Sequence, residues 1–131
     1  MTGTGINTAR EYFQAVQNGD MQTVGRLLDE EVIWHQPGSN RFSGDHLGRE
    51  AVFAMLRGMM EASQGTFAVG TAGAFMTNGD LVTAAIRFAG RRGEVTMAMD
   101  GVDLLRIKDG KIIEVWLFST DQAREDAFWG P

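Results

Sequence analysis

The chain has 131 residues, which predicts a single domain over residues 1–131, and 44 % of them are hydrophobic, enough to build a core. It contains no cysteine, which excludes a disulfide scaffold and any site built on a thiolate. The formal net charge of −5 argues against a nucleic-acid partner, and no apolar run reaches the roughly 18 residues that would cross a bilayer.

The N-terminal part of the chain predicts two helices. Residues 1–5 have neither the basic start nor the apolar stretch of a signal peptide, so we expect a cytoplasmic location. Thr8–Glu11 has the pattern of a capping box, and apolar residues then recur at helical spacing as far as Val16. Asn18-Gly19 predicts the end of this helix, and Asp20 predicts the cap of a second, short helix.

The middle of the chain predicts one strand and one long helix. Residues 31–36 are rich in β-branched and aromatic side chains, which is typical of a strand, and Pro37-Gly38 ends it. The polar residues 39–47 predict an ordered loop. Gly48–Ser63 is the strongest predicted helix, and its apolar residues share one face: Val52, Met55, Leu56, Met59 and Met60.

The second half predicts strands joined by hairpin turns. The strands are Thr66–Thr77, Leu81–Ala89, Glu94–Ile107 and Lys111–Phe118. The turns are Asn78-Gly79, Gly90–Gly93 and Asp109-Gly110, and Asp121–Trp129 predicts a short closing helix. Helices followed by a meander indicate an α+β fold, with N-terminal helices packed on a curved mixed or antiparallel sheet. A sheet wrapped around a helix leaves a cavity at its open end.

Four segments, in order along the chain, have a recognisable pattern: Tyr12–Asp20 (YFQAVQNGD), Val32–Gly38 (VIWHQPG), Gly48–Val52 (GREAV) and Leu105–Ile112 (LRIKDGKI). Together they resemble the SnoaL-like proteins and the ketosteroid isomerases of the NTF2-like superfamily. The resemblance implies a cone-shaped NTF2-like (cystatin-like) fold and a homodimer that pairs through the outer face of the sheet. The superfamily includes isomerases, polyketide cyclases and proteins without known catalysis, so the reaction has to be argued from the site.

Two residues match the oxyanion-binding pair of ketosteroid isomerase. Tyr12 matches the tyrosine that donates to the developing oxyanion, and Asp103 matches the aspartate that stays protonated there, a pattern taken from that enzyme. Asp103 stands among apolar strand residues, and desolvation is expected to raise its pKa. Two other interpretations stay open: Tyr12 is an ordinary core residue, and a bulge at Gly101 turns Asp103 outward.

Gln36 departs from the isomerase pattern. It falls where those enzymes carry their proton-shuttling carboxylate, and an amide does not take up a proton at neutral pH. His35 is the natural replacement base because imidazole titrates near neutrality. Strand alternation points His35 away from Trp34 and Gln36 unless Pro37-Gly38 distorts the strand end. His46 is a second candidate at the mouth of the cavity.

Five apolar residues are predicted to line the substrate site, although such residues are more often plain core: Trp34, Met55, Met59, Phe75 and Phe88. Gln36 is predicted to orient the substrate or a water molecule by hydrogen bonding. Glu114 shares a predicted strand face with Ile112, Trp116 and Phe118. If that face points outward, its aromatic residues form an exposed patch of the kind found at interfaces. We therefore expect Glu114 to be an interface charge and Trp116 and Phe118 to form the dimer contact.

These residues favour a cofactor-independent isomerase or cyclase that acts on an apolar, steroid- or polyketide-like carbonyl compound by enolate chemistry. Its predicted catalytic residues are Tyr12, Asp103 and His35, with no metal and no cofactor. The alternative is a non-catalytic ligand-binding or dimerisation module of the same fold. Hydration of an epoxide by Asp103 and Arg106 is disfavoured, because residues three apart on a strand point to opposite faces.

Overall fold

The computed structural model describes residues 2–131, with side chains from Gly5 onward; Met1, the first residue of the predicted domain, lies outside the described residues. Its elements, in chain order, are α1 (Thr2–Asn18), α2 (Met21–Leu27), β1 (Leu28–Gln36), β2 (Gly44–Leu47), α3 (Arg49–Ala62), β3 (Ala68–Asn78), β4 (Leu81–Arg92), β5 (Val95–Lys108), β6 (Lys111–Ser119) and α4 (Gln122–Trp129). The predicted α+β class is confirmed.

The sheet has six strands in the order β2-β1-β6-β5-β4-β3. β1 runs parallel to β6, and the other neighbours are antiparallel, so the sheet is mixed. The pairing of β4 with β5 runs without interruption from Leu81↔Arg106 to Arg92↔Val95. This long regular pair fixes which side chains of β5 face the helices and which face outward.

Both predicted N-terminal helices are present, but α1 is longer than the sequence pattern indicates. It begins at Thr2, so the capping box predicted at Thr8 is wrong and Thr8 is a buried residue inside the helix. The additional turns lie close to β4, since a Cβ atom on Gly5 would come within 3.2 Å of the Val82 side chain. The predicted cap of α2 is confirmed, since the Asp20 Oδ1 atom accepts a hydrogen bond of 3.2 Å from the backbone amide of Thr23.

Two short segments differ from their predictions. Residues 44–47 form β2, an edge strand paired with β1 from Ile33↔Leu47 to Gln36↔Gly44, where a loop is predicted. Its side chains are mostly exposed, so backbone pairing forms this strand without a hydrophobic pattern. The second segment is the turn predicted over Gly90–Gly93. Here β4 continues through Gly90 to Arg92, and the turn lies at Gly93, whose φ is 60°.

The core lies between the inner face of the sheet and the helices. Val52, Met55 and Met59 of α3 are buried there, whereas Met60 is 43 % exposed. α4 closes the far end with Phe128 and Trp129, both fully buried. The Arg92 guanidinium donates to the carbonyl oxygens of both residues and so satisfies the last turn of α4. Within residues 2–131, no helix has the length and apolar character of a membrane span.

Candidate functional site

A cavity of about 1110 Å³ opens between the inner face of the sheet, α1 and the C-terminal half of α3. Its wall is mainly apolar, with contributions from Phe13, Leu56 and Ile86. Six of the nine predicted catalytic and substrate-binding residues lie on this wall: Tyr12, Trp34, Gln36, Met59, Phe88 and Asp103. This volume lies just above the range of about 300–1,000 Å³ that is usual for small-molecule sites.

Asp103 is the least compensated polar group of the cavity. It is 4 % exposed, and its Oδ1 atom has no hydrogen-bond partner among the residues that the structure describes. Burial, reinforced by the negative charge of Glu125, raises the pKa of the Asp103 carboxyl to about 7. The side chain therefore carries a proton below about pH 7, and in that form it can donate a hydrogen bond into the cavity.

The regular register of β5 explains why Asp103 points inward. Alternate residues of this strand are buried, and Gly101 and Leu105 lie on the same face as Asp103. The bulge considered at Gly101 is absent from the β4–β5 pairing of the described chain. Close packing requires a glycine at position 101, because a Cβ atom there would lie 2.5 Å from the carbonyl oxygen of Phe118 and 2.9 Å from the ring of Phe88.

Tyr12 faces the same cavity from α1. Its side chain is 3 % exposed and packs edge-on against Phe13 at a centroid distance of 5.0 Å. Burial, with a further contribution from the charge of Asp103, raises the pKa of the Tyr12 phenol far above its usual range. The hydroxyl therefore stays protonated and can act as a hydrogen-bond donor.

A polar chain crosses the end of the cavity where β1 meets α4. The Trp34 Nε1 atom donates to Gln36 Oε1 at 2.9 Å, and Gln36 Nε2 donates to Glu125 Oε2 at 3.3 Å. The Trp129 Nε1 atom donates to the same oxygen of Glu125 at 3.4 Å. Gln36, predicted from the resemblance to stand where ketosteroid isomerases carry a carboxylate, is thus itself hydrogen-bonded to a carboxylate.

Glu125 was not predicted as a site residue. It lies on the cavity wall, is 1 % exposed, and accepts hydrogen bonds from Ser119 Oγ at 2.7 Å and Gln122 Nε2 at 3.1 Å. Burial raises the pKa of its carboxyl, and these donors offset part of that rise. The sequence does carry a signal, because Glu125 stands three and four residues before the buried Phe128 and Trp129 and so shares their helical face.

The carboxylate of Asp126 fixes α4 to the end of β1. It accepts from the Ser39 amide at 3.1 Å, from Asn40 Nδ2 at 2.8 Å and from Gln122 Nε2 at 3.0 Å. Gly38, with φ of 86°, leaves room for this contact, since a Cβ atom there would lie 2.2 Å from Asp126 Oδ1. Glu125 is thus held on a helix that is anchored outside the cavity.

His35 does not reach the cavity, so its predicted role as the replacement base is not supported by its position. Strand alternation puts it on the outer face of β1, where Nδ1 lies 2.7 Å from Asp45 and Nε2 lies 2.6 Å from Glu114. Its ring stacks on Trp116 at 5.1 Å. The regular pairing of β1 with β2 continues to Gln36, so Pro37-Gly38 does not disturb the alternation at the strand end. His46 also lies outside the cavity wall, with Nε2 donating to the Phe42 carbonyl oxygen at 2.7 Å.

Two predicted wall residues lie elsewhere. Met55 is 3 % exposed and packs in the core one turn before Met59, which does reach the cavity. Phe75 follows a register irregularity in β3, and only the part of β3 before that irregularity lines the cavity. Its ring instead stacks on Phe13 at 6.0 Å and lines a separate depression of about 380 Å³ beside Arg10.

The outer face of the sheet carries Glu114, as the alternation suggested, but not Ile112. A register shift between Arg106 and Ile107 turns Ile112 into the core, where it is fully buried. Glu114 lies 3.8 Å from the Arg106 guanidinium, which also binds Asp80 at 3.0 Å. Arg106 therefore faces away from Asp103, which rules out a shared water for epoxide hydration.

Comparison with known proteins settles the family. The chain matches the SnoaL-like domain over residues 9–115. It belongs to the SnoaL-like family. It is 51 % identical to a protein of unknown function with a cystatin-like fold from Xanthomonas campestris, over 97 % of this chain and 98 % of that one, with a TM-score of 0.93. It is 30 % identical to Bal32a from a soil-derived mobile gene cassette, over 97 % of both chains, with a TM-score of 0.92.

A more distant likeness concerns the fold alone. A protein from Jannaschia sp. CCS1 that bears the name SnoaL-like polyketide cyclase is 18 % identical over 98 % of this chain and 93 % of that one, with a TM-score of 0.76. No curated protein is significantly similar to the sequence. The predicted family and the predicted NTF2-like (cystatin-like) fold are both confirmed.

Proposed function

We propose that this SnoaL-like protein is a cofactor-independent isomerase or cyclase that acts on an apolar, steroid- or polyketide-like carbonyl compound through an enolate. The observation that carries the proposal is Asp103, a buried carboxyl group with an unpartnered oxygen in a large apolar cavity. A native structure rarely leaves such a group unsatisfied without a functional reason. A substrate carbonyl oxygen would provide the protonated carboxyl group with a hydrogen-bond acceptor.

Tyr12 and Asp103 would act together on that oxygen. The phenol and the protonated carboxyl both donate hydrogen bonds, which become stronger as negative charge develops on the carbonyl oxygen. The apolar wall keeps water away and so increases the strength of both bonds. Because the pKa of Asp103 is about 7, its donor form disappears as the pH rises through that value.

Exchange of the α-protons of 2-tetralone, a bicyclic apolar ketone, tests this proposal in D2O by NMR. We expect the protein to accelerate exchange and the rate to fall as the pH rises above about 7. The double change Tyr12→Phe and Asp103→Asn should slow exchange about 100-fold or more, the size typical for the loss of oxyanion donors.

Asp100→Asn is the matched control, because Asp100 lies on the same strand but points outward with its side chain 65 % exposed. This change should leave the exchange rate unaltered. Exchange that survives the double change at full rate would contradict the assignment of Tyr12 and Asp103.

The internally satisfied polar chain supports a second candidate, a ligand-binding module without catalysis. Glu125 already accepts four hydrogen bonds within the protein, which is also the pattern of a purely structural buried carboxylate. Under this alternative, 2-naphthol would bind in the cavity, but 2-tetralone and related ketones would exchange at the rate of the buffer.

We also propose that the protein forms a homodimer through the outer face of the sheet. Phe118 is 55 % exposed and Val102 is 36 % exposed on this face, and they are directly paired across β5 and β6 beside Trp116. An apolar patch of this kind usually marks an interaction site. The cytoplasmic location and the independence from cofactors stay predictions.

A further inference from the structure

The four groups that hold Glu125 in the cavity wall are all neutral donors: Ser119, Gln122, Gln36 and Trp129. Neutral donors orient a carboxylate without the charge neutralisation that an arginine or lysine would bring. Glu125 also lies in the first turn of α4, where the helix dipole favours the ionised form. Its surroundings thus favour a carboxylate that is fixed in place yet able to accept a proton.

The two oxygens of this carboxylate are held unequally. Oε1 accepts from Ser119 Oγ at 2.7 Å and from Gln122 Nε2 at 3.1 Å. Oε2 accepts only the two longer contacts, from Gln36 at 3.3 Å and Trp129 at 3.4 Å. Hydrogen bonds weaken beyond about 3.2 Å, so Oε1 anchors the group and Oε2 is the oxygen that the protein donors hold less strongly.

The neighbouring carboxyl group has the opposite character. Asp103 Oδ1 has no donor within the described chain, so nothing favours its ionised form, while Glu125 has four donors. When two carboxyl groups share a site, the group with more donors holds the charge and the other keeps the proton. One cavity therefore contains a proton donor, Asp103, and a proton acceptor, Glu125.

We propose that Glu125 is the catalytic base of this cavity, with Oε2 as the accepting atom, and that Gln36 is a positioning residue that holds it. This inference rests on the proposed enolate chemistry. Gln36 can fulfil that role because its own amide is fixed, with Oε1 accepting from Trp34 Nε1 at 2.9 Å. The amide at position 36 thus orients a carboxylate on α4 and does not itself carry the proton.

The step is a proton transfer that balances within the site. The bond between the substrate α-carbon and its hydrogen breaks, and the proton bonds to Glu125 Oε2. The electron pair of the broken bond forms the carbon–carbon double bond of the enolate, and the negative charge moves to the carbonyl oxygen, where Tyr12 and Asp103 donate. In an isomerisation Glu125 then returns the proton to another carbon. In a cyclisation the enolate carbon attacks a second carbonyl group, and the resulting alkoxide takes the proton.

Glu125→Gln tests this assignment with 2-tetralone exchange and 2-naphthol binding measured side by side. Exchange should fall at least about 100-fold, the size expected for the loss of a general base, while the affinity for 2-naphthol changes less than about threefold. Glu50→Gln is the matched control, since Glu50 lies in the first turn of α3 as Glu125 does in α4, but outside the cavity wall. The control should exchange at the wild-type rate.

A reciprocal exchange of side chains provides the decisive variant. Gln36→Glu combined with Glu125→Gln keeps the hydrogen bond between the two positions but moves the carboxylate to β1. We expect this double variant to regain at least about tenfold in exchange over Glu125→Gln alone, because a carboxylate again faces the cavity. Full-rate exchange by Glu125→Gln, or a double variant no faster than that single variant, would overturn the proposal.

Two further outcomes are distinguishable. If Glu125→Gln fails to bind 2-naphthol, Glu125→Asp replaces it, since this change keeps the charge and withdraws the carboxylate by one methylene. A tenfold or greater loss of exchange with binding intact then supports the base assignment, and an unchanged rate overturns it. If the wild-type protein itself does not accelerate exchange, the enolate chemistry fails, which is a separate result from retention of activity by the Glu125 variants.

Discussion

The two faces of the same sheet place similar ionisable groups in opposite surroundings. On the outer face, His35 lies between Asp45 and Glu114, and Arg106 contacts Asp80 and Glu114, so each carboxylate there has a basic side chain beside it and access to water. On the inner face, Asp103 is buried without a cation, and Glu125 meets only neutral donors.

This contrast shows how the surroundings act on one type of residue. Carboxylates that are exposed and paired, as on the outer face, contribute little to stability. Burial raises the pKa of the Asp103 and Glu125 carboxyl groups on the inner side, so these groups cost stability and are candidates for proton exchange. The inner groups are therefore the ones to examine for chemistry and the outer groups for association.

The largest expected effect concerns the stability cost of Asp103. Its pKa is raised from 3.8 to about 7 in the folded protein, so the folded chain holds this proton more tightly than the unfolded chain does. The free energy of unfolding should therefore fall as the pH rises from about 4 to about 7, by an amount on the order of 4 kcal/mol. Asp103→Asn should remove most of this slope, and the part that remains comes from Glu125, whose pKa burial also raises. Urea unfolding at pH 4 and pH 8.5 measures the change.

Asp100→Asn is again the control, and it should retain the wild-type slope because Asp100 faces the solvent. If Asp103→Asn and the wild-type protein lose the same stability between the two pH values, then Asp103 is not the group that titrates, and the inner face is less distinct than we infer.

The next largest effect concerns association through the outer face. Phe118→Ala should weaken the proposed homodimer by about 2 kcal/mol, or roughly 30-fold in dissociation constant, if the aromatic residue is a central contact. Analytical ultracentrifugation over a concentration series measures this change. Val95→Ala is the control, because Val95 is similarly exposed, at 55 %, but lies at the β4–β5 hairpin away from Phe118. A wild-type protein that sediments as a monomer throughout would exclude the dimer.

The smallest effect concerns His35. Desolvation acts to lower the pKa of its imidazole, but the hydrogen bonds and charges of Glu114 and Asp45 outweigh it and raise that pKa above its ordinary value. The protonated imidazole therefore adds to the free energy of unfolding below about pH 6.5, and this contribution is lost as the pH rises through the higher pKa of the folded state. His35→Ala should cost about 0.5 kcal/mol at pH 5.5 and close to nothing at pH 9 by urea unfolding. An equal cost at both pH values would indicate lost packing on Trp116 instead.

The order and type of the main elements follow from local patterns. The apolar face of α1, the Asp20 cap and the turn glycines Gly79 and Gly110 appear where the pattern indicates, as does the stripe of α3 apart from the exposed Met60. The edge strand β2 could not be predicted in this way, because its stability comes from backbone pairing with β1 and its side chains carry no apolar alternation.

The site was only partly predictable. The inward orientation of Asp103 follows from alternation once the β4–β5 register is known, and the sequence alone left a bulge at Gly101 as an alternative. Phe75 was misplaced because a register irregularity in β3 separates it from the cavity. The predicted outward orientation of Ile112 was wrong for the same reason, since a single shift of register exchanges the two faces of a strand.

The sequence by itself determined the α+β class, the family pattern and the absence of thiol chemistry, because composition and short-range periodicity are enough to specify them. Only the tertiary structure brought Glu125, from the end of the chain, to Gln36 on the first strand, 89 positions away. Local pattern carries no information about such a contact, because it depends on the long-range packing of α4 against the sheet. The protonation of Asp103 was decided in the same way, since burial and a neighbouring charge exist only in the folded chain.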